Sequence, residues 1–168
     1  DADTDADADT DTDTDIDTDT DTDTDSDTDS DTDDDLPIDF SPYLSPFDLA
    51  YSPGGGQLAI SDASSGALYL VNTDGGSVAC TVPLSGYGKG IAWIDDTTLW
   101  VAEFDFGSVA EVDTITCSVK RRIPVGPKPI GIAVDGNTAV VTEYGLGQIL
   151  LLDVDAGTTT ETISSKNY

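Results

Sequence analysis

Residues 125–144 read VGPKPIGIAVDGNTAVVTEY, and this stretch decides the fold. Two runs rich in apolar and β-branched residues, at 130–134 and 139–142, flank the turn sequence Asp135-Gly136-Asn137. Because such residues favour strands and Asp, Gly and Asn favour a tight reversal, the stretch predicts a β-hairpin.

The same hairpin occurs twice earlier in the chain. Its first strand, GIAV at 131–134, corresponds to DLAY at 48–51 and GIAW at 90–93, a period of about 41 residues. Further strands follow each copy, and they are predicted at 58–61, 67–71 and 78–84, at 99–102, 108–112 and 116–125, and at 139–142, 148–152 and 159–164. Four short strands per period predict an all-β chain of about three four-stranded antiparallel propeller blades, at about 47–88, 89–129 and 130–168.

A family resemblance rests on the third copy. Residues 125–134 resemble the linker and inner strand of YVTN-type and NHL-type β-propeller repeats, and 140–143 (VVTE) resemble their second strand. The resemblance covers roughly 43–168. It implies the fold and little about function, since propellers serve as lyases, scaffolds, lectins and ligand-binding modules. Some NHL-like propellers are lyases that use His and a metal, but this chain contains no His.

Three blades are fewer than the four to eight that close a propeller. An open arc would leave a sheet face uncovered at each end. Three ways of covering it stay open: two or more chains complete a ring, further blades lie outside this sequence, or blades stack between subunits along a fibre.

A stalk of different composition, residues 1–35, precedes the blades, with a proline-containing junction at 36–46. The stalk carries 19 of the 34 acids and none of the 6 bases, and Asp alternates there with Thr, Ser or Ala. The alternation predicts an extended acidic segment, and we weigh three roles for it: a solvated spacer, a weak multivalent Ca²⁺ binder, or a row of O-glycan acceptors. The acceptors would be Thr10, Thr12, Thr14, Thr18, Thr20, Thr22, Thr24, Ser26, Thr28, Ser30 and Thr32.

The formal charge of −28 excludes two classes of partner. Phosphate backbones and anionic headgroups would be repelled, so we expect no nucleic-acid or anionic-membrane binding, while cations, basic partners and neutral glycans fit. No apolar run is long enough to span a bilayer, and we expect a mature or truncated product.

Three acids occupy the same place in the three repeats, just after the second strand: Asp62, Glu103 and Glu143. As a ring at one mouth of a propeller they would form a weak cation site. The competing interpretation is that each carboxylate accepts hydrogen bonds from turn amides ahead of a glycine-containing loop.

Candidate interface residues are loop aromatics and a basic cluster. Phe104, Phe106 and Tyr144 are predicted to stack on sugars, to anchor a partner or to pack between blades. A second patch, Lys120, Arg121 and Arg122, would pair with an acidic stalk of another copy. Trp93 and Trp100 fall in strands and are predicted to fill the space between blades.

The two cysteines, Cys80 and Cys117, are both assigned to outermost strands of adjacent blades. Such strands should lie too far apart for a bridge, so an intermolecular disulfide is expected over an intramolecular one.

Together these features predict a secreted structural or interaction protein of the cell exterior that assembles with other copies of itself into a larger assembly or filament, without a required cofactor. The alternative is a truncated, surface-anchored propeller that binds a ligand or carbohydrate, with the stalk as spacer. We expect no enzymatic activity, because nucleophile, phosphate-loop and His-based metal motifs are missing.

Overall fold

A computed structural model describes residues 44–164. This part of the chain contains twelve strands: β1 Pro46–Tyr51, β2 Gln57–Asp62, β3 Ala67–Asn72, β4 Val78–Pro83, β5 Gly88–Trp93, β6 Thr98–Glu103, β7 Ser108–Asp113, β8 Ser118–Pro124, β9 Pro129–Asp135, β10 Thr138–Glu143, β11 Gln148–Asp153 and β12 Thr158–Ser164. They form three four-stranded antiparallel sheets in which sequence neighbours pair. The predicted all-β class with three blades is confirmed; the stalk, most of the junction and the proposed glycan acceptors lie outside the described residues.

The three sheets repeat one another in detail. Each has a bulge between its third and fourth strands, at Leu70/Val71, Glu111/Val112 and Leu151/Leu152. A bulge increases the local twist of a sheet, so blades with the same bulge have closely related shapes that can stack. We call the sheets blades 1, 2 and 3.

The blades pack face to face, and apolar side chains fill the space between them. Leu68 and Leu70 of blade 1 meet Val101 and Val112 of blade 2 in one buried cluster. A second cluster joins blade 2, through Trp100, to blade 3. Each fully buried side chain of this size contributes about 1.5–3 kcal/mol, so these two layers supply most of the stabilisation.

Each blade therefore has two faces. We call the face toward the preceding blade the upstream face and the face toward the following blade the downstream face. Because successive strand residues point to opposite sides, alternate residues belong to opposite faces. Along β7, for example, Val112 faces blade 1 and Val109 faces blade 3.

The first strands β1, β5 and β9 lie side by side, whereas the outer strands β4 and β8 touch at few positions. Gly90 makes the inner approach possible, because a Cβ there would collide with the carbonyl oxygen of Ile130. The blades consequently fan outward from the inner strands. The described residues include no helix long and apolar enough to cross a membrane.

Candidate functional site

The upstream face of blade 1 is apolar, and the other described residues leave it exposed. Leu49 and Tyr51 alternate along β1 on this face and are 61% and 62% exposed. The sheet register places Leu49 opposite Ile60, and Ile60 opposite Tyr69, so the apolar surface continues across β2 and β3. Contiguous apolar surface of this kind marks an interaction site more often than scattered residues do.

Within residues 44–164, nothing covers the downstream face of blade 3 either. Ile149 and Ile163 are paired in register and are 40% and 42% exposed. On the same face Val140 lies opposite Leu151, which in turn lies opposite the exposed Glu161. The stack of three blades therefore ends in an apolar sheet face on both sides.

The first of the three equivalent acids, Asp62, stabilises the turn that follows it. Asp62 is 1% exposed and accepts hydrogen bonds from the backbone N–H groups of Ser45, Ser64 and Ser65. Burial alone would raise the pKa of Asp62, but the hydrogen bonds from Ser65, Ser64 and Ser45 outweigh it and hold that pKa below its ordinary value. Asp62 is thus a turn-stabilising carboxylate.

Glu103 has equally complete partners. Its carboxylate accepts from the Ser85 N–H, the Ser108 hydroxyl and Arg122 Nε, at 2.6–3.1 Å. With the side chain fully buried, this network satisfies both oxygens.

Glu143 differs from the other two. It is 2% exposed, its Oε1 accepts from the Leu146 N–H at 2.9 Å, and its Oε2 is buried without a hydrogen-bond partner among the described residues. The residue equivalent to Arg122 in blade 3 is Thr162, which explains the missing donor.

The structure does not bring these acids into one metal site. Within residues 44–164, no cluster of three or more Cys, Asp or Glu side chains could hold a metal ion. The turn-capping interpretation fits Asp62 and Glu143, which accept hydrogen bonds from amides of the turns that follow them. Glu103 instead accepts from the Ser85 N–H, in the segment between β4 and β5, and from two side chains of its own blade.

A groove lies between the β6–β7 turn and the segment that joins β8 to β9. It has a volume of about 450 Å³, and its lining includes Phe104, Phe106 and Lys128. Gly126 also lines it, and a Cβ on Gly126 would lie 3.9 Å from Glu143 Oε2, so the unpartnered oxygen lies just beneath the groove wall.

The predicted basic patch is engaged within its own chain. Arg122 pairs with Glu103, and Arg121 Nη2 lies 2.7 Å from Glu111 Oε2, while Lys120 is 3.6 Å from the same carboxylate. Arg121 also donates to the carbonyl oxygens of Val154 and Asp155 in blade 3. These charges link strands and blades of one molecule, and binding to a stalk of another copy stays a prediction.

The predicted aromatics lie at the same end of the blades. Phe104 has Lys89 and Lys128 ammonium groups 5.4 and 5.6 Å from its ring centre. Phe106 and Tyr144 are 57% and 70% exposed and are free to meet a ligand. Trp100 is fully buried between blades, as predicted, and its indole N–H donates to Glu111.

The expected intermolecular disulfide is wrong, because Cys80 and Cys117 bond to each other within the chain, with their Cα atoms 6.2 Å apart. Sequence reasoning placed both residues in outer strands, but β8 begins only at Ser118. Cys117 belongs to the β7–β8 turn, with φ of +52°, and the turn reaches toward the outer strand of blade 1. The bond therefore joins blade 1 to blade 2.

The partly buried Glu111–Arg121 pair was not predicted from the sequence. Glu111 occupies a position on β7 that is apolar in the other blades, Leu70 and Leu151, and that departure from the repeat was the available signal.

Comparison with known proteins shows which fold the chain shares. No family model and no curated protein sequence matches the chain. Among solved structures, hydrazine synthase of Kuenenia stuttgartiensis matches with a TM-score of 0.69 and 27% identity, over 76% of this chain and 38% of that chain. AztD of Citrobacter koseri matches with a TM-score of 0.60 and 20% identity, over 76% of this chain and 37% of that one. The chain thus spans less than two fifths of these proteins, and the likeness, with the three sheets described above, identifies residues 44–164 as β-propeller blades.

Proposed function

We propose that this protein is a non-enzymatic interaction module that works outside the cell, where its blades associate with other copies of the chain in a larger assembly or filament. The observation that carries the proposal is the pair of uncovered apolar sheet faces, the upstream face of blade 1 and the downstream face of blade 3. Burying such faces on another molecule is favourable at about 25 cal/mol per Å² of apolar surface removed from water.

The intrachain disulfide supports the extracellular location. Bonds of this type form and persist in oxidising compartments and are rare in the cytosol. An O-glycosylated, YVTN/NHL-like cell-surface protein with an acidic stalk fits the same location, and any Ca²⁺ taken up by that stalk would be bound weakly and would not be needed for folding of the blades.

The absence of catalysis is proposed from the side chains the sequence offers. With no His in the chain, acid–base work would fall to carboxylates, and the carboxylates of Asp62 and Glu103 are buried and held by hydrogen bonds from backbone and side-chain donors. Their engagement supports a structural role.

The test is sedimentation velocity of the full chain over a range of concentrations. The unmodified protein should sediment as a multiple of its 17.5 kDa mass. Leu49→Asp places a charge on the upstream face and should abolish association. Ile115→Asp is the matched control, because Ile115 is 76% exposed but lies in the β7–β8 turn. A single-chain mass for the unmodified protein at every concentration would refute the proposal.

A second candidate function, binding of a neutral carbohydrate, is favoured by the groove between the β6–β7 turn and the segment that joins β8 to β9, because its lining includes the exposed Phe106 and a sugar ring can stack on an aromatic side chain.

Saturation-transfer NMR with a neutral hexose oligosaccharide tests this candidate. Phe106→Ala should reduce the transferred signal strongly, whereas Tyr144→Ala, an exposed aromatic outside that groove's lining, should leave it unchanged. Equal signals from the two variants, or none from the unmodified protein, would remove the candidate.

A further inference from the structure

We infer that copies of this chain join head to tail: the upstream face of blade 1 in one copy docks on the downstream face of blade 3 in a second copy, in the geometry that already joins successive blades. This inference rests on the proposed function, and it adds the partner, the two faces and their orientation.

The upstream faces of the three blades have equivalent residues at equivalent positions. The register aligns Leu49 of blade 1 with Ile91 of blade 2 and Ile132 of blade 3. Ile91 is buried against blade 1, and Ile132 packs into the cluster between blades 2 and 3. Leu49 has the same chemistry at the same position but is 61% exposed, so blade 1 presents a blade-packing surface without its blade.

Docked copies would also have a donor and an acceptor where a hydrogen bond joins blades 1 and 2. Trp93 Nε1 donates to the carbonyl oxygen of Ala50, across the boundary between blades 1 and 2, at 2.9 Å. Tyr51 occupies the position of Trp93 on blade 1, and Ala133 occupies the position of Ala50 on blade 3. In the docked pair the Tyr51 hydroxyl therefore faces the Ala133 carbonyl, a donor facing an acceptor.

The inner strand of blade 3 has a glycine where the inner strand of a second copy would approach it. Gly90 of blade 2 lets the inner strand of blade 3 approach, since a Cβ there would strike the Ile130 carbonyl oxygen. Gly131 is the equivalent residue of blade 3, and the atoms nearest a Cβ there belong to the Thr142 side chain of the same blade, with Oγ1 at 2.9 Å. The inner strand of an arriving blade would therefore meet no side chain at residue 131 itself, and a larger residue at 131 would obstruct it.

The outer rim, formed by the fourth strand of each blade and the turn that precedes it, has one position at which the three blades differ. The outer-strand position of Cys80 in blade 1 is Arg121 in blade 2 and Glu161 in blade 3. Cys80 bonds to Cys117 of the next blade, and Arg121 lies against Gly157 of the next blade, where a Cβ would come 2.8 Å from Nη1. These two turn residues share a positive φ, +52° and +64°.

The rim position therefore identifies its partner in a second copy. Gly76, with φ of +64°, takes the place of Cys117 and Gly157 in the β3–β4 turn of blade 1. Docking head to tail brings Glu161 of one copy beside Gly76 of the other. Glu161 supplies neither a disulfide nor a cation, so the contact between copies is weaker than either contact within the chain.

The symmetry follows from the use of two different faces. A head-to-tail contact either closes into a ring or continues as a fibre. Two copies of three blades make a six-bladed ring, within the usual range for closed propellers. The same pair of faces is used in both cases.

Engineered cysteines test the orientation directly. Gly76→Cys and Glu161→Cys reproduce, between copies, the Cys80–Cys117 geometry seen within the chain. Mixed under mild oxidation, the two single variants should give a crosslinked product of twice the 17.5 kDa chain mass. Thr162→Cys is the matched control, because residue 162 lies opposite Leu150 and so belongs to the upstream side. Proximity should favour the Gly76–Glu161 product about tenfold or more over the control pair.

Complementation separates the possible geometries. Leu49→Asp and Ile163→Asp, each of which retains one intact end face, should be single chains when alone and should form a one-to-one pair when mixed. If the Ile163→Asp variant still assembles and the Leu49→Asp variant does not, the contact is a symmetric one between two upstream faces. That result would overturn the inference but leave the proposed function standing. Equal crosslinking in the control pair would overturn it as well. If the unmodified chain never associates, both the inference and the proposed function fail.

Discussion

The boundary between blades 1 and 2 and the boundary between blades 2 and 3 have similar apolar layers but different polar links. At the same outer-strand position, the first boundary has Cys80 in a disulfide and the second has Arg121, which donates to two carbonyl oxygens of blade 3 and pairs with Glu111. Apolar packing is thus the common requirement of blade stacking. The link at the rim can be exchanged for another with a different strength.

Removing the disulfide should have the largest effect. Cys80 and Cys117 are 37 residues apart in sequence, and a loop of that length gives about 4 kcal/mol of stabilisation by restricting the unfolded chain. The double variant Cys80→Ser, Cys117→Ser should lose that amount in urea unfolding. Adding a reductant should destabilise the unmodified protein to a similar degree and leave the double variant unaffected; a loss below about 1 kcal/mol would contradict the cross-blade role of the bond.

Removing the arginine link should have the next largest effect. Arg121→Ala leaves Glu111 with the Trp100 indole and the more distant Lys120, and we expect a loss of about 2 kcal/mol, below the value for a fully buried pair, because the Arg121 side chain is 37% exposed. Lys120→Ala is the control and should change the free energy of unfolding by less than about 0.5 kcal/mol, as expected for an exposed pair at 3.6 Å. Equal losses in the two variants would show that Arg121 has no special role.

A smaller effect is expected at the boundary between blades 1 and 2 from Trp93→Phe. This change removes the hydrogen bond to the Ala50 carbonyl and should destabilise the chain by about 1 kcal/mol, plus the loss of some packing. Thermal unfolding monitored by circular dichroism measures it. An unchanged midpoint would remove the hydrogen bond from the account, and with it the argument about Tyr51.

The smallest effect is a dependence on pH. Because Asp62 has a pKa below its ordinary value of 3.8 in the folded chain, its ionised form stabilises the fold. That contribution is complete above pH 3.8 and is lost as the pH falls from there through the folded-state pKa. Asp62→Asn should be less stable than the unmodified protein at pH 7 and should approach it in acid. A difference that does not narrow below pH 3.8 would contradict this role.

The fold was predictable because the structural repeat is visible as a repeat in the amino-acid sequence. Apolar and β-branched runs separated by turn residues, repeated with a period of about 41, predicted the three blades, and the three-blade count already implied uncovered ends. The three equivalent acids were found by the same alignment, and one of the two interpretations given for them, turn capping, agrees with the hydrogen bonds of Asp62 and Glu143.

The rim could not be predicted, because it depends on where strands end. Thr114, Ile115 and Thr116 favour a strand by composition, but the Asp113 carboxylate accepts from the Ile115 and Thr116 N–H groups and turns the chain there. Cys117 therefore enters a turn that points at the neighbouring blade. The Glu111–Arg121 pair was missed for a related reason, since it requires the register of β7 and β8, bulge included.

Protection of the end-face side chains from oxidation shows whether these faces are buried when copies of the chain associate. Hydroxyl-radical footprinting of the full chain, dilute and concentrated, reports on Leu49, Tyr51, Ile149 and Ile163 at once, with the exposed turn residue Ile115 as internal reference. If the end faces of the stack are blade-packing surfaces for another copy, all four should become protected together as concentration rises, while Ile115 stays reactive. Unchanged oxidation of the four residues at every concentration would contradict the account.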